Sequence, residues 1–306
     1  DLVVGANTYS TSTGRVYIFY NDGNYSGRAN GADVVITGEG TSNYFGRAFI
    51  AGDVNADGKD DLVVGAYSGA GGGRTYIFYN DSFYPTAAAS ADVIITGETS
   101  SGFGGWAFVV ADFNADGEKD IAVGAYNYST TTGRVYLFYA DGTSNFGTAT
   151  CSGTPAVCSA ANADVIITGE ATTNYFSTAL TAGDFNADGK VDLAVGAYSY
   201  SSNTGRAYIF YNGSIITENA SGADVIITGE TTSTNFGWEL AAGDMNADGE
   251  IDLIVGAMLY TSSTGRAYIF YNGSIITENA SGADVIITGE TTTNRFGYAL
   301  TVGDFN

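Results

Sequence analysis

The pattern Asp-x-Asn-x-Asp-Gly-x-x-Asp recurs along this chain and sets its architecture. It begins at Asp53, Asp112, Asp184 and Asp244, and Asp304-Phe305-Asn306 starts it again at the end of the sequence. Successive starts lie 59, 72, 60 and 60 residues apart, and the long interval contains an insertion with both cysteines. The underlying period is therefore about 60 residues. A chain with this period is expected to fold as similar units that bury their apolar faces against one another.

Each repeat contains four short strand-like runs. The first follows Phe-Gly, as in Phe236–Gly243, and the second follows the Asp-rich loop, as in Asp61–Ala66. The third reads Gly-Arg-x-Tyr-(Ile/Leu)-Phe-Tyr, and the fourth reads Ala-Asp-Val-(Val/Ile)-Ile-Thr-Gly-Glu. The runs are β-branched or aromatic and are bounded by Gly, Asn, Ser and Thr, and no segment has a sustained helical period.

These runs predict an all-β fold. Because they are apolar on both faces, each sheet must be covered on both sides, which favours four-stranded antiparallel blades packed face to face as a β-propeller. We predict a single domain over residues 1–306 with five blades. The alternative is that these five repeats are part of a larger ring or array.

The Asp-rich loops have the spacing of a calcium site. Side chains at loop positions 1, 3, 5 and 9 and the main-chain carbonyl at position 7 supply oxygen ligands, and the Gly at position 6 permits the turn. The predicted ligands are Asp53, Asn55, Asp57, Lys59 and Asp61; Asp112, Asn114, Asp116, Glu118 and Asp120; Asp184, Asn186, Asp188, Lys190 and Asp192; and Asp244, Asn246, Asp248, Glu250 and Asp252. The all-oxygen set and the absence of His exclude a dedicated zinc or copper site. The alternative is a solvated acidic turn.

A fifth calcium site is expected to be partial. Asp304 and Asn306 supply its first positions, and Asp1 supplies its ninth. Positions 4 to 8 are missing between Asn306 and Asp1, so the chain begins and ends within a loop. We expect that further chain completes this loop.

The charge of the chain narrows the classes of partner. Its formal net charge of −22 argues against nucleic acid and against anionic lipid surfaces, which both require basic residues. The sequence has no apolar run long enough to span a bilayer. Part of the acidity belongs to the loops themselves, which calcium would neutralise.

Two further features favour an extracellular location. Cys151 and Cys158 flank a short polar loop and predict a local disulfide, the alternative being two free thiols. Asn-x-Ser sequons are glycosylation candidates in an extracellular chain. They start at Asn24, Asn80, Asn127, Asn212, Asn219, Asn272 and Asn279.

The order of motifs resembles the FG-GAP repeat of integrin α-subunit propellers and their prokaryotic relatives. Phe-Gly is followed by Gly-Asp-x-Asn-x-Asp-Gly-x-x-Asp-Leu-x-Val-Gly-Ala and then by Gly-Arg-x-Tyr-x-Phe, over essentially the whole chain. Ser177 replaces the Gly of one Phe-Gly, and the Pro usual after Gly-Ala is missing. The resemblance implies a β-propeller, calcium in the loops, and a ligand on the face opposite them. Family members usually close with seven blades, whereas five repeats are present here.

The loops opposite the calcium face are rich in Tyr, Ser, Thr and Asn. Tyr offers contact area and a polar tip at low entropic cost, which suits recognition. The ligand-face candidates are Tyr67, Tyr126, Tyr128, Tyr198, Tyr200 and Tyr260. The alternative is that these rings pack between blades.

Two repeated features have structural interpretations. The Arg that begins strand three and the Glu that ends strand four of each repeat predict a cross-strand ion pair. The Phe of each Phe-Gly is expected to pack in the core between blades.

Three functions are compatible with the sequence. The first is a non-enzymatic extracellular module for adhesion or for assembly of a cell-surface structure or filament, with a protein, a glycan or another copy of itself as partner. The second is a calcium-stabilised lectin that binds glycans on the Tyr-rich face. The third is a hydrolase, for which the sequence offers no nucleophile–base pair.

Overall fold

The computed structural model of the chain describes residues 1–23, 27–69, 71–81, 83–98, 102–140, 151 and 153–305. The chain forms two compact units. Unit 1 comprises Asp1–Val110, Glu118–Tyr128 and Tyr136–Asp164, and unit 2 comprises Ala111–Gly117, Ser129–Val135 and Val165–Asn306. The single five-repeat domain stays a prediction.

Unit 1 contains the sheets of the first two repeats. The first is the antiparallel sheet β1 (Leu2–Ala6), β2 (Arg15–Phe19) and β3 (Val34–Thr37). The second has the antiparallel order β4 (Phe49–Gly52), β5 (Asp61–Ala66), β6 (Arg74–Phe78) and β7 (Val93–Thr96). The third repeat is divided between the units and contributes β8 (Phe108–Ala111), β9 (Asp120–Ala125), β10 (Arg134–Phe138), β11 (Ala156–Ser159) and β12 (Val165–Thr168).

Unit 2 contains the sheets of the fourth and fifth repeats. The fourth repeat forms β13 (Phe176–Gly183), β14 (Asp192–Ala197), β15 (Arg206–Phe210), β16 (Glu218–Asn219) and β17 (Val225–Thr228). The fifth forms β18 (Phe236–Gly243), β19 (Asp252–Ala257), β20 (Arg266–Phe270), β21 (Glu278–Asn279) and β22 (Val285–Thr288). The orders β13-β14-β15-β17 and β18-β19-β20-β22 are antiparallel. The four-strand unit is therefore confirmed, and the described chain is mostly β with repeated sheets.

Short turns join these strands. Four-residue helical turns lie between strands two and three at α1 (Tyr9–Ser12), α2 (Tyr128–Thr131), α3 (Tyr200–Asn203) and α4 (Tyr260–Ser263). One-turn 3₁₀ segments precede strand four at Ala29–Gly31, Ala88–Ser90, Ala160–Asn162, Ala220–Gly222 and Ala280–Gly282. Ser201 and Ser202 have left-handed φ values of 45° and 60°, so α3 is a tight turn rather than a true helix. No described helix is long and apolar enough to cross a membrane.

The Phe of Phe-Gly packs where the sequence predicts. Phe236 is fully buried, and its ring meets those of Tyr268 at 5.3 Å and Phe270 at 6.4 Å edge to face. Gly205 lies against the Phe236 backbone with a φ of 82°, so a side chain at this position would collide with it. This contact joins strand three of the fourth repeat to the beginning of the fifth. The Phe-Gly motif is therefore a packing device between consecutive repeats.

A second connection between repeats was not apparent from the sequence. The loop before strand four of each repeat pairs in parallel with the outer strand of the preceding repeat. Ile227 and Thr228 of β17 oppose Glu278 and Asn279 of β21, and Ile226 N donates to Thr277 Oγ1 at 3.0 Å. Equivalent pairs are β12 with β16 and β7 with β11, and a bridge joins Thr37 to Ala87. A parallel pair formed by two residues carries too little periodicity to be recognised beforehand.

The ion pair predicted within each repeat is wrong, because the Arg reaches the Glu of the preceding repeat. Arg206 lies opposite Thr228 in the ladder, and its Nε donates to Thr228 Oγ1 at 3.0 Å. Its Nη1 bonds Glu170 Oε1 at 2.6 Å. Glu230 lies two residues beyond Thr228, past the end of the strand, and therefore pairs with Arg266 at 2.8 Å. Arg74 and Glu39 form the same contact in unit 1.

The predicted disulfide is present between Cys151 and Cys158, whose Cα atoms lie 4.5 Å apart. Cys158 belongs to β11, which pairs with β7 from Ala156 opposite Val93 to Ser159 opposite Thr96. The disulfide therefore closes the insertion beside an added edge strand of the second repeat.

Replacing both cysteines by Ser is expected to lower the free energy of unfolding by about 2 kcal/mol, because the short closed loop gains freedom mainly in the unfolded chain. Urea denaturation monitored by circular dichroism measures this loss, with wild-type chain reduced by dithiothreitol as the matched control. Equal midpoints for the oxidised wild type and the double variant would contradict it.

Candidate calcium loops and recognition loops

The Asp-rich loops share one hydrogen-bonded conformation. In the first loop, Asp57 N donates to Asp53 Oδ1 at 3.1 Å and to Asn55 Oδ1 at 3.0 Å. Gly58 N donates to Asp53 Oδ2 at 2.9 Å, and Lys59 N donates to Asp57 Oδ1 at 2.9 Å. The same bonds form in the third loop, between Asp184 and Lys190, and in the fourth, between Asp244 and Glu250. Within Asp112–Gly117 of the second loop the first three bonds recur.

The backbone of these loops needs left-handed residues at two positions. The Ala at position 4 has a φ between 57° and 62° in all four loops, and the Gly at position 6 has a φ between 83° and 95°. The Gly predicted at position 6 is thus required by its left-handed φ. The left-handed conformation of the Ala at position 4 could not be recognised from the sequence. Left-handed Ala persists where the surrounding hydrogen bonds hold it.

The Asp at position 9 connects its loop to the rest of the repeat. Asp192 is fully buried and accepts hydrogen bonds from Phe185 N at 2.9 Å and from Asn212 N at 2.8 Å. Asp61 and Asp252 accept equivalent bonds. At the beginning of the chain, Asp1 Oδ1 accepts from Asn21 N at 2.8 Å, as a position 9 residue should. Asn306 lies outside the described residues.

Burial raises the pKa of two of these carboxyls. The pKa of Asp61 rises to about 6, through desolvation first and then through the charges of Asp57 and Asp53, against the bonds from Asn80 N and Val54 N. The pKa of Asp192 rises to about 6 for the same reasons, with Asp188 and Asp184 as the neighbouring charges. At position 1, the amide of Gly249 and its neighbours lower the pKa of Asp244. A cation would relieve the repulsion felt by the buried carboxylates.

These loops match calcium in the chemistry of their donor atoms, but their side chains do not converge on one point. Among the described residues, no three His, Cys, Asp or Glu side chains are grouped so that they could hold a metal ion. The loop oxygens instead accept bonds from the backbone of their own loop. The donors are all oxygens, which calcium prefers, and the buried acid with a raised pKa suits a cation. The residues present therefore fit calcium, and the ligand sets stay predictions.

In the calcium-free chain, stability is expected to fall as the pH rises from about 5 to about 8. A carboxyl whose pKa is about 6 in the folded chain and 3.8 when unfolded binds its proton more tightly in the folded state. Its contribution is complete below the unfolded value and is lost through the folded one, at about 1.4 kcal/mol for each carboxyl over this interval. Thermal melts in EDTA across this range measure the trend. Calcium should abolish it, and a rising melting temperature in EDTA would contradict it.

Two sequons are engaged inside the fold. Asn212 is 7% exposed, and its Nδ2 donates to Asp112 O at 3.3 Å and to Val191 O at 3.2 Å. Asn272 is 9% exposed and donates to Asp184 O at 2.6 Å and to Ile251 O at 3.2 Å. A glycan on either Nδ2 atom is incompatible with these hydrogen bonds, so Asn212 and Asn272 are not suitable glycosylation sites. The sequon pattern did not reveal this because it carries no information on burial. Each Asn instead links its repeat to the Asp-rich loop of the preceding one.

The remaining sequons differ in their surroundings. Asn219 Nδ2 donates to Gly169 O and Asn279 Nδ2 donates to Gly229 O, each at 3.0 Å. Asn80 is half-buried and Asn127 is exposed. Asn24 lies outside the described residues.

The loops joining strands two and three, together with those joining strand four to the next repeat, form what we call the recognition loops. In unit 1, Tyr44 stacks on Tyr67 with ring centroids 4.8 Å apart. Trp106 meets Tyr67 at 6.4 Å and Tyr126 at 4.9 Å, and the guanidinium of Arg47 lies 3.7 Å from its ring centroid. Trp106 was not among the predicted ligand residues, although a Trp beside Phe-Gly-Gly in a Tyr-rich region was a usable signal.

Unit 2 has a similar aromatic group. Tyr175 stacks on Tyr198 at 5.1 Å, and Trp238 meets Tyr198 at 4.8 Å and Tyr298 at 5.6 Å. Two other ligand-face candidates, Tyr200 and Tyr260, are covered by an Arg of their own repeat. The guanidinium of Arg206 lies 3.7 Å from the Tyr200 ring centroid, and that of Arg266 lies 3.6 Å from the Tyr260 ring centroid. Those two rings pack within their own repeat, not between blades as the alternative interpretation expects. Tyr128 is half-buried at the beginning of α2.

The Asp that precedes strand four has a role that sequence reasoning missed. Its Oδ2 accepts from the backbone NH that follows strand three, for example from Tyr211 N to Asp224 at 2.8 Å. The same bond forms at Asp33, Asp92, Asp164 and Asp284. Its recurrence in every Ala-Asp-Val motif was the available signal.

Comparison with known families identifies these repeats. A family model described as FG-GAP repeat matches residues 176–210 and 236–270, and one described as FG-GAP-like repeat matches residues 53–123. The chain carries FG-GAP repeats. The resemblance predicted from the Phe-Gly and Asp-rich motifs is thereby confirmed.

The FG-GAP repeats of this chain are homologous to regions of two groups of larger proteins. Phosphatidylinositol-glycan-specific phospholipase D of Bos taurus is 34% identical over 213 residues, 64% of this chain and 24% of that protein. Integrin alpha-8 of Gallus gallus is 27% identical over 255 residues, 78% of this chain and 22% of that protein. The chain thus matches about a quarter of the length of these relatives.

A solved structure gives a weaker likeness. The V. cholerae biofilm matrix protein Bap1 aligns at 12% identity with a TM-score of 0.31, covering 74% of this chain and 38% of that one. A TM-score of 0.31 supports no conclusion about the fold or function of this chain.

Proposed function

We propose that this chain is a non-enzymatic extracellular module whose FG-GAP repeats form blades of a β-propeller, bind calcium and serve adhesion or assembly of a cell-surface structure. The observation that carries the proposal is the recurrence of one loop conformation in four of the five repeats, anchored by a buried Asp at position 9. Homology to an integrin alpha chain supports the adhesion role. The disulfide favours an oxidising compartment.

In this proposal the Asp-rich loops brace the fold. Positions 1, 3, 5 and 9 and the carbonyl at position 7 of each loop would hold the ion. Bound calcium supplies positive charge among the loop carboxylates. Asn212 and Asn272 then transmit the order of one loop to the next repeat, because each donates to the carbonyl of an Asp at position 1. Loss of one loop would therefore weaken its neighbour as well.

The partner is proposed to be an extracellular protein, a glycan or a second copy of the chain, bound by the recognition loops. The net charge of −22 argues against nucleic acid as a partner. We propose neither insertion into a membrane nor catalysis. A lectin is the second candidate, favoured by the half-exposed Tyr and Trp rings of the recognition loops.

Arrays of glycans and of extracellular proteins, probed with the chain in calcium and in EDTA, test this function. Calcium-dependent retention on a defined feature is the expected result, with glycan features indicating the lectin. Absence of retention on every feature would contradict a binding role. Cleavage of a glycosylphosphatidylinositol substrate by the purified chain would contradict the non-enzymatic assignment.

A further inference from the structure

The loop between strands two and three of the second repeat departs from the repeated pattern. In the fourth repeat this loop reads Tyr-Ser-Tyr-Ser-Ser-Asn-Thr-Gly from Tyr198, whereas in the second it reads Tyr-Ser-Gly-Ala-Gly-Gly-Gly from Tyr67. The loop is one residue shorter, and Gly69 replaces the aromatic residue found at Tyr9, Tyr128, Tyr200 and Tyr260. Glycine is conformationally costly to order, so the three glycines that are particular to this loop, Gly69, Gly71 and Gly72, invite a functional explanation.

The replacement of Tyr by Gly69 removes the aromatic ring that lies over the Arg in other repeats. Tyr9, Tyr200 and Tyr260 lie against the guanidinium of their own repeat's Arg at 3.6 to 3.8 Å. In the second repeat the corresponding Arg is Arg74, and a Cβ built on Gly69 would lie 3.8 Å from Arg74 Cγ. The side chain missing at Gly69 is therefore the one that would cover Arg74.

A second departure accompanies the first. The Nε of Arg15, Arg134, Arg206 and Arg266 donates to the Thr across the ladder at 2.8 to 3.0 Å. Arg74 Nε is buried without a hydrogen-bond partner, although Thr96 lies opposite it. A Cβ at position 71 would lie 2.5 Å from the Thr96 methyl group, so only glycine leaves room for that side chain here. The second repeat therefore lacks both the aromatic ring over its Arg and the hydrogen bond to the Arg Nε atom. Departures of this kind from a repeated pattern are expected at functional sites.

A pocket of about 340 Å³ opens where these changes occur. Its walls are Tyr67, Ser68, Gly69, Gly72, Gly102, Tyr126 and Asn127, all in unit 1. None of these seven described residues carries a charge. This volume is at the lower end of the roughly 300–1,000 Å³ of small-ligand sites, which suits one small ring rather than a peptide.

Contacts outside the pocket fix the positions of its two aromatic residues, Tyr67 and Tyr126. Tyr67 stacks on Tyr44, and Trp106 contacts both Tyr67 and Tyr126. Ser68 N donates to Asn43 O, and Gly73 N donates to Gly69 O at 3.2 Å, which closes the loop. A pre-ordered site of this kind loses little entropy when a ligand binds.

We propose that this pocket binds a neutral monosaccharide unit of a glycan. The tyrosine rings suit the apolar face of a sugar ring, while the side chains of Ser68 and Asn127 have the hydroxyl and amide groups that hydrogen-bond sugar hydroxyls. The absence of charge in the lining disfavours phosphates and uronates. This assignment rests on the proposed binding role of the recognition loops and specifies what one of them takes.

The two tryptophans of the chain make the test selective. Trp106 adjoins both pocket tyrosines, and Trp238 holds the related position in unit 2. In a Trp238→Phe chain, titration with the methyl glycosides of glucose, galactose, mannose and N-acetylglucosamine should change Trp106 fluorescence saturably for at least one sugar. The expected dissociation constant is on the order of 1 mM. The Trp106→Phe chain, which reports on Trp238, should show no such change.

Gly69→Tyr in the Trp238→Phe background fills the pocket and should abolish the response. Gly69 is a wall of the pocket, has no left-handed φ, and its Cβ would meet ordinary contacts, so the variant should fold with the added ring beside Tyr67 and Tyr126. Gly27→Tyr is the matched control, because nothing lies within 4 Å of a Cβ there. Asn127→Ala, at an exposed position, should weaken binding at least fivefold and serves if Gly69→Tyr does not fold.

A saturable response that persists in Gly69→Tyr would overturn the assignment. So would its absence for all four glycosides, checked by saturation-transfer NMR on the unmodified chain. Either result, with calcium-dependent melting intact, overturns the sugar pocket alone. Loss of calcium-dependent melting would instead overturn the proposed function.

Discussion

Removal of calcium with excess EDTA is expected to lower the melting temperature of this chain by about 10 °C or more. Each complete loop places at least three Asp carboxylates within nine residues, and burial already raises the pKa of Asp61 and Asp192 to about 6. At a calcium concentration about ten times the dissociation constant, each site contributes about 1.4 kcal/mol, and four independent sites contribute roughly 5 to 6 kcal/mol. Dissociation constants of about 0.1–1 mM, usual for extracellular modules, make low-millimolar calcium sufficient.

Variants of single loops separate specific binding from general screening. Asp184→Ala should remove at least a quarter of the calcium-dependent gain, because Asn272 of the next repeat donates to the Asp184 carbonyl, whereas Asp81→Ala, outside the loops, should leave it unchanged. Magnesium at equal concentration controls for ionic strength, because its demand for a small octahedral shell suits these loops poorly. The same melting temperature in calcium and in EDTA would contradict a structural role for the ion.

Truncation of the Glu that joins two repeats is expected to have the second large effect. Glu170 Oε1 accepts from Arg206 Nη1 at 2.6 Å and from Tyr208 OH at 3.0 Å, and the Tyr208 side chain is fully buried. Glu170→Ala leaves a guanidinium and a phenol without this acceptor, at a cost of about 3 kcal/mol in the free energy of unfolding. Urea denaturation of the folded chain in calcium measures the loss.

The chain provides its own control for this variant. Glu290 has the same place in its repeat but is exposed, and Glu290→Ala should change the free energy of unfolding by less than about 0.5 kcal/mol. Glu170→Gln keeps an acceptor oxygen and should recover part of the loss. Equal effects of the Ala substitutions at positions 170 and 290 would show that the contact between repeats is not a source of stability.

The local features of each repeat could be predicted from the sequence. Strand two, with both faces buried, was recognisable as a short apolar run directly after the Asp-rich loop, as in Asp192–Ala197. Phe236 was assigned to the core because the Phe of Phe-Gly recurs in every repeat, eight or nine residues before the loop. The left-handed Gly at position 6 followed from the turn that the spacing requires.

The connections between repeats could not be predicted, because they depend on side-chain reach rather than on pattern. Thr228 opposes Arg206, so Glu230 falls beyond the strand and contacts the next repeat. The sequons at Asn212 and Asn272 suggested exposure, but their amides are used to hold neighbouring loops. The proximity of Gly69 to Arg74 and Tyr126 emerged only from the fold.

The number of calcium ions bound per chain tests the central claim most directly. Isothermal titration of the EDTA-treated, dialysed chain should give four ions, one for each complete Asp-x-Asn-x-Asp-Gly-x-x-Asp loop, and three for Asp184→Ala. A stoichiometry below one, or four ions retained by a chain whose position 1 residues Asp53, Asp112, Asp184 and Asp244 are all Ala, would contradict it.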